Sequence, residues 1–141
     1  MLEKSAGAII YTTIKNKRYY LLSKDFHNNY GFAKGHLEEN ETLKDAAIRE
    51  IQEEVGLDII LDDNFKEELR YIMPNGIEKL STYFIAYYSN QEIKPQLEEV
   101  QETILLPYEE ALNKLTFDSM KQVLKKADEY LNEKQRTTTT N

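Results

Sequence analysis

Between Gly35 and Leu57 the chain runs from a glycine turn into a helix that gathers its carboxylates on one side. Glu50, Glu53 and Glu54 stand at i, i+3 and i+4, which at about 100° per residue places them in one surface strip. Like charges so spaced destabilise a solvated helix by about 0.2–0.5 kcal/mol per pair. Partly buried they would cost far more unless something neutralised them. Carboxylate oxygens are hard ligands suited to Mg²⁺, with Mn²⁺ as a substitute, so the strip points to a divalent cation.

The ends of this helix are written in the sequence. Thr42 with Asp45 three residues on fits a capping box, and the acid also suits the positive end of the helix dipole. Gly56 follows the last apolar position, where a left-handed residue belongs. Ile48, Ile51 and Val55 are read as the stripe that anchors the helix to a core. Ala46 and Ala47 fall near the acid strip and leave room for a loop or ligand to approach. Arg49 sits beside the acids and can grip one carboxylate in a bidentate contact.

Acidic pairs recur at Glu38-Glu39, Glu67-Glu68, Glu98-Glu99 and Glu109-Glu110, and most such pairs are solvated surface. The stretch at 35–57 differs because a longer pattern is complete: G-x5-E-x7-R-E-U-x-E-E-x-G-U, where U is aliphatic and is filled by Ile51 and Leu57. This resembles the Nudix box, the signature of hydrolases acting on nucleoside diphosphates linked to another group. The resemblance implies an α/β/α sandwich around a mixed sheet, in the α/β (α+β) class. It also implies that Glu50, Glu53 and Glu54 hold metal and serve the chemistry with Arg49, while the Gly35 carbonyl and Glu99 complete the metal shell.

Composition agrees with one such unit. The 141 residues suit a single domain, taken as 1–135, with 136–141 (ending Thr137-Thr-Thr-Thr-Asn141) read as a disordered tail. Net charge is −7, which disfavours nucleic acid as a partner, so a polyanionic substrate must be met by local lysines and metal. There is no cysteine, which excludes disulfides, thiol catalysis and thiolate zinc sites. No segment has the length and hydropathy of a membrane span or a leader, and a cytoplasmic protein is the expectation. The sequence does not specify an oligomeric state.

Strands are expected at 5–14 and 18–24 around Lys15-Asn16-Lys17, then a loop at 25–31 that includes an exposed His27, and a short strand at 32–34. A long hairpin is expected from 58–73 and 77–88 around Pro74-Asn75-Gly76. A strand at 101–106 and helices at 108–115 and 117–133 follow, the last with Phe117, Met120, Val123, Leu124, Ala127 and Leu131 on one side.

The flanks of the box narrow the resemblance. Tyr30-Gly-Phe-Ala-Lys34-Gly-His36 looks like the W-G-F-P-K-G-H entry of the asymmetrical diadenosine tetraphosphate hydrolases, with Tyr30 for tryptophan and Ala33 for proline. Phe65-Lys-Glu-Glu-Leu-Arg-Tyr71 is similar to that branch's F-K-x-E-L-x-Y, whose tyrosine stacks on a base. The strand carrying Lys79 and Tyr83, the acidic Glu98-Glu99-Val-Gln101 and the Leu115–Lys121 segment containing Phe117 are similar as well. The resemblance implies a dinucleoside polyphosphate as substrate, bound through Lys34, His36, Tyr71, Lys79, Tyr83 and Phe117. Spacing alone favours Tyr71 and Tyr83 as cross-strand partners and Phe117 as a core residue. Two other readings stand beside this one: a Nudix hydrolase of modified nucleoside triphosphates or RNA 5′ ends, and a nucleotide-sensing module without turnover.

Overall fold

A computed structural model describes residues 2–139. Its centre is a hairpin of β1 (Leu2–Ile14) and β2 (Lys17–Lys24). Lys15 and Asn16 adopt φ of 52° and 67°, so the turn is a two-residue one whose twist matches the flanking strands. β3 (Tyr30–Gly31), β4 (Lys34–His36) and α1 (Leu43–Val55) follow. Next come β5 (Ile60–Ile72), β6 (Glu78–Tyr87), β7 (Glu102–Leu106), α2 (Tyr108–Lys114) and α3 (Asp118–Thr139).

The sheet runs β3-β2-β1-β6-β5, with β4 added to β1 and β7 to β2. It is mixed, because β1 and β6 are parallel while the other pairs are antiparallel. Alternation along the strands sends side chains to two cores. Ala6, Ala8, Ile10, Phe84 and Ala86 meet Ala46, Ala47, Ile51 and Val55 of α1 on one face. Ile9, Tyr20, Leu22, Tyr83 and Ile85 meet α2 and α3 on the other, through Ala111, Val123, Leu124, Ala127 and Leu131. This is the expected α/β/α sandwich.

Several expectations need correcting. The strand expected at 32–34 lies at Lys34–His36, because Gly35 pairs with Ala6 and Lys34 with Gly7. Gly7 is required there: a Cβ would lie 2.1 Å from the Ala33 carbonyl oxygen. Phe32 and Ala33 are core residues instead, 6% and 3% exposed. Phe117 does not join the buried side of the last helix; it sits in the turn before α3 and is 51% exposed. α3 continues to Thr139, so residues 136–139 of the expected tail are helical here, and residues 140–141 lie outside the described residues. Polar ties from the sheet hold α3, with the Tyr20 hydroxyl donating to Asp128 at 2.6 Å and that of Tyr130 to Asp62 at 2.8 Å. Among the described residues no helix is long and apolar enough to cross a membrane.

Candidate active site

α1 is fixed at both ends as its sequence dictates. Thr42 Oγ1 accepts from the Asp45 N–H at 3.1 Å, and Gly56 adopts φ 69° while its N–H reaches the Gln52 carbonyl. The segment after β6 then crosses the end of the helix. Lys94 N–H donates to the Val55 carbonyl at 2.8 Å and Gln96 N–H to that of Glu54 at 2.7 Å. These bonds satisfy carbonyls that a helix end leaves unpaired. Gly56 permits the crossing, since a Cβ there would lie 2.8 Å from Lys94 Cβ. A turn that begins at Gln96 brings Glu99 to the site.

The inward face of α1 keeps Ile51 and Val55 of the expected stripe but not Ile48. Ile48 is 42% exposed, whereas Ala46 and Ala47 are fully buried beside Ile51 and Val55. At about 100° per residue, Glu50 and Glu54 fall between the directions of Ala46 and Ala47, in the middle of the buried arc. The two alanines therefore let the helix press close to the sheet while two carboxylates point toward it. Glu53 belongs to the outer margin, its side chain 54% exposed. The strip of three acids thus divides into two that face inward and one that faces water.

Gly35 is the reason Glu50 fits. A Cβ on Gly35 would lie 2.0 Å from Glu50 Cδ, so only glycine allows that close approach. Burial raises the Glu50 carboxyl above its ordinary range, opposed by Arg49. Glu54 is pushed up to about 8, first by burial and then by the negative charges of Glu50 and Glu99, with the Lys34 N–H and charge opposing. Glu54 Oε2 is buried and has no hydrogen-bond partner.

Arg49 is the hub. Its Nε and Nη2 grip the two oxygens of Glu41 at 2.6 and 2.9 Å, a bidentate contact that holds the Glu41 carboxyl down at about 2. Nη1 donates to Glu50 at 2.9 Å and Glu53 at 3.1 Å, and Nη2 to the His36 carbonyl at 2.9 Å. The bidentate partner is therefore Glu41 and not one of the three clustered acids. Sequence reasoning assigned Glu41 no role, although it is a fixed acid of the pattern.

A cavity of about 740 Å³ opens beside this cluster. Lys34, Glu54, Tyr71, Lys79, Glu99 and Phe117 all contribute to its wall, as do Arg70, Tyr30, His27 and the apolar Leu69, Met73 and Met120. Tyr30 went unassigned at the sequence level; its hydroxyl donates to Glu102, and Lys114 Nζ lies 4.8 Å from its ring centroid. His27 is exposed as expected, yet it stands on the cavity rim.

Two expected binding residues are elsewhere. Tyr83 is fully buried in the core, edge-on to Phe32 with ring centroids 5.8 Å apart. Its hydroxyl is buried and Tyr83 is not part of the cavity wall. His36 is exposed outside the cavity wall, with Nε2 3.5 Å from Glu3 Oε2.

Among the described residues, no three carboxylate or imidazole groups are already gathered as an ion cage. Arg49 occupies part of Glu50 and Glu53 instead. The donor set nonetheless fits a hard divalent cation. It consists of oxygens alone, and Glu50 and Glu99 stand close enough to Glu54 to raise it.

Residues 1–127 match the NUDIX domain family. The asymmetrical bis(5′-nucleosyl)-tetraphosphatase of Sus scrofa is 33% identical over 104 residues, which span 70% of this chain and 69% of that protein. An Ap4A hydrolase from C. elegans, crystallised as a binary complex, superposes with a TM-score of 0.86 at 26% identity, covering 93% of this chain and 98% of that one. The NUDIX domain of Shewanella oneidensis NrtR, solved with ADP ribose, shares the fold at a TM-score of 0.76 and 18% identity, over 93% and 89% of the two chains.

Proposed function

Because the chain belongs to the Nudix family and is a hydrolase of phosphorus-containing anhydrides, we propose that it cleaves diadenosine tetraphosphate asymmetrically, to ATP and AMP, with Mg²⁺. One observation carries this reading. A single cavity wall combines Glu54, whose Oε2 is buried, with Lys34, Lys79 and two aromatic side chains left 40% and 51% exposed, Tyr71 and Phe117. Such rings offer faces to a nucleobase, while the lysines offer donors to phosphate. The names of the porcine and nematode relatives agree with that substrate.

Glu50, Glu53, Glu54, Glu99 and the Gly35 carbonyl would hold the cation. When bound, Mg²⁺ (or Mn²⁺) offsets phosphate charge and lowers the pKa of water. The chain's own residues do the rest. Arg49 fixes Glu50 and Glu53 from the outer side and ties them to the turn at His36. Lys34 and Lys79 meet the phosphates, and Tyr71 and Phe117 hold one adenine. Water oxygen bonds to phosphorus as the bridging P–O bond breaks, and the proton lost by water goes to a carboxylate. Glu54 Oε2 is the acceptor we assign, because it alone among the carboxylate oxygens of this cluster is buried without a partner.

Product analysis after incubation with diadenosine tetraphosphate and Mg²⁺ tests the reading. ATP plus AMP is the expected result, and two ADP would overturn it. Preferential turnover of an oxidised deoxynucleoside triphosphate would favour the triphosphate-cleaning alternative. Tight nucleotide binding without hydrolysis would leave a sensing module.

A further inference from the structure

Lys79 does not stand alone in the cavity wall. In register, Glu3 on β1 pairs with Lys79 on β6, and Lys79 pairs with Tyr71 on β5. Directly paired residues project to the same face of a sheet, so Glu3, Lys79 and Tyr71 form one row across three strands. Lys79 and Tyr71 line the cavity, and Glu3 stands behind them. Glu3 Oε2 lies 3.7 Å from Lys79 Nζ and 3.5 Å from His36 Nε2, with the Glu3 side chain 32% exposed and that of Lys79 28%.

We infer that Glu3 is a positioning residue that sets the Lys79 ammonium at the cavity wall for the phosphates of a nucleotide. The inference rests on the function proposed above. A lysine side chain carries four rotatable bonds and much rotamer entropy, which a phosphate ligand must otherwise freeze at the moment of binding. An anionic neighbour anchored on the central strand confines that arm in advance. The separation exceeds hydrogen-bond distance, so the ammonium keeps donors free for a phosphate oxygen while feeling the carboxylate charge. Glu3 also faces His36, on the turn that enters α1, so one carboxylate spans the catalytic turn and the phosphate arm. Contact with Glu3 thereby accounts for a histidine that the cavity does not use.

The test is a double-mutant cycle on the full chain: wild type, Glu3→Gln, Lys79→Ala and the pair together. Steady-state kinetics with diadenosine tetraphosphate and Mg²⁺ would be read alongside calorimetric Kd for ATP. Glu3→Gln is expected to raise KM and the ATP Kd roughly three- to fivefold, the range one partly exposed ion pair can carry, with kcat unchanged. In the Lys79→Ala background Glu3→Gln should add nothing, since its effect runs through that ammonium. An equal increase in both backgrounds, no increase in either, or a fall in kcat matching the change in kcat/KM would overturn the positioning role. If wild type does not turn over the dinucleotide, the function proposed above fails, and the ATP Kd cycle still decides the case for Glu3.

Discussion

The cavity wall has two contributors of different construction. The α1 side, which reaches the wall through Glu54, is over-determined: Glu50 is pressed against Gly35, Arg49 joins four polar groups, and Glu54 Oε2 is buried. The contribution of β5 and the turn before α3 is open, with Tyr71 and Phe117 presenting exposed rings from segments distant in sequence. Chemistry that needs carboxylates placed to a fraction of an ångström is built on a capped helix. Recognition of a flat base tolerates a looser surface. Substitutions on the α1 side should therefore act on turnover, and those on the aromatic side on affinity.

The sharpest way to break that contrast is Glu54→Gln. Turnover should fall by about 10²–10⁴-fold, the range for a lost proton acceptor, while the fold is retained. Stability gives a second readout on metal-free protein. Glu54 is raised to about 8 in the fold, so between about pH 5 and 8 the unfolded chain ionises there while the native one holds its proton. Wild-type stability contributed by this group is present below the unfolded pKa and is lost as pH rises through the folded one. The Tm of Glu54→Gln should therefore gain on that of wild type from pH 5 to pH 8. A constant Tm difference, or near-normal turnover, would remove Glu54 from the centre of the site.

Gly35→Ala tests the same side through geometry alone. The new methyl would meet Glu50 Cδ at 2.0 Å, so the carboxylate must move. About 100-fold loss of kcat is expected, with folding retained by circular dichroism, because displacements near 1 Å cost about that much. Unchanged kcat would mean that Glu50 need not sit where the glycine allows it.

How much of this was legible follows from the same contrast. Thr42, Asp45, Gly56 and the acid spacing are local signals within one helix, and the structure repeats them. Apolar bulk marks the inward direction of α1 only in part, through Ile51 and Val55. A helix that must approach a sheet closely buries alanines and leaves Ile48 outside. The cavity joins β2, β3, β5, β6 and the turn before α3, and no periodicity in the chain encodes that meeting. Only the family resemblance placed Tyr71, Lys79 and Phe117 together. It also proposed Tyr83 and His36, which the fold sends to the core and to Glu3.

On the aromatic side, Tyr71→Ala and Phe117→Ala should each raise KM for diadenosine tetraphosphate about 5- to 50-fold, in the range of one base–aromatic stack. kcat should change far less, because stacking is similar in the ground and transition states. A loss confined to kcat would erase the division between the two walls. Equal KM for a substrate lacking a second base would leave the stacking role intact but assign it to one nucleoside.

The smallest expected effect marks where the aromatic wall stops. Tyr83 sits on the β6 face that carries Lys79, and sequence similarity makes it a binding residue like Tyr71. Its ring is instead buried against Phe32, burial drives its phenol well above the ordinary range with Ser81 opposing, and its hydroxyl meets no partner in good hydrogen-bond geometry. An unpaired buried hydroxyl costs roughly 1–3 kcal/mol of desolvation, so deleting it should be neutral or stabilising. Tyr83→Phe is therefore expected to leave KM and kcat at wild-type values and to keep or raise Tm in thermal melts. A rise in KM without a fall in Tm would return Tyr83 to the binding surface, and the aromatic wall would extend deeper than the two exposed rings.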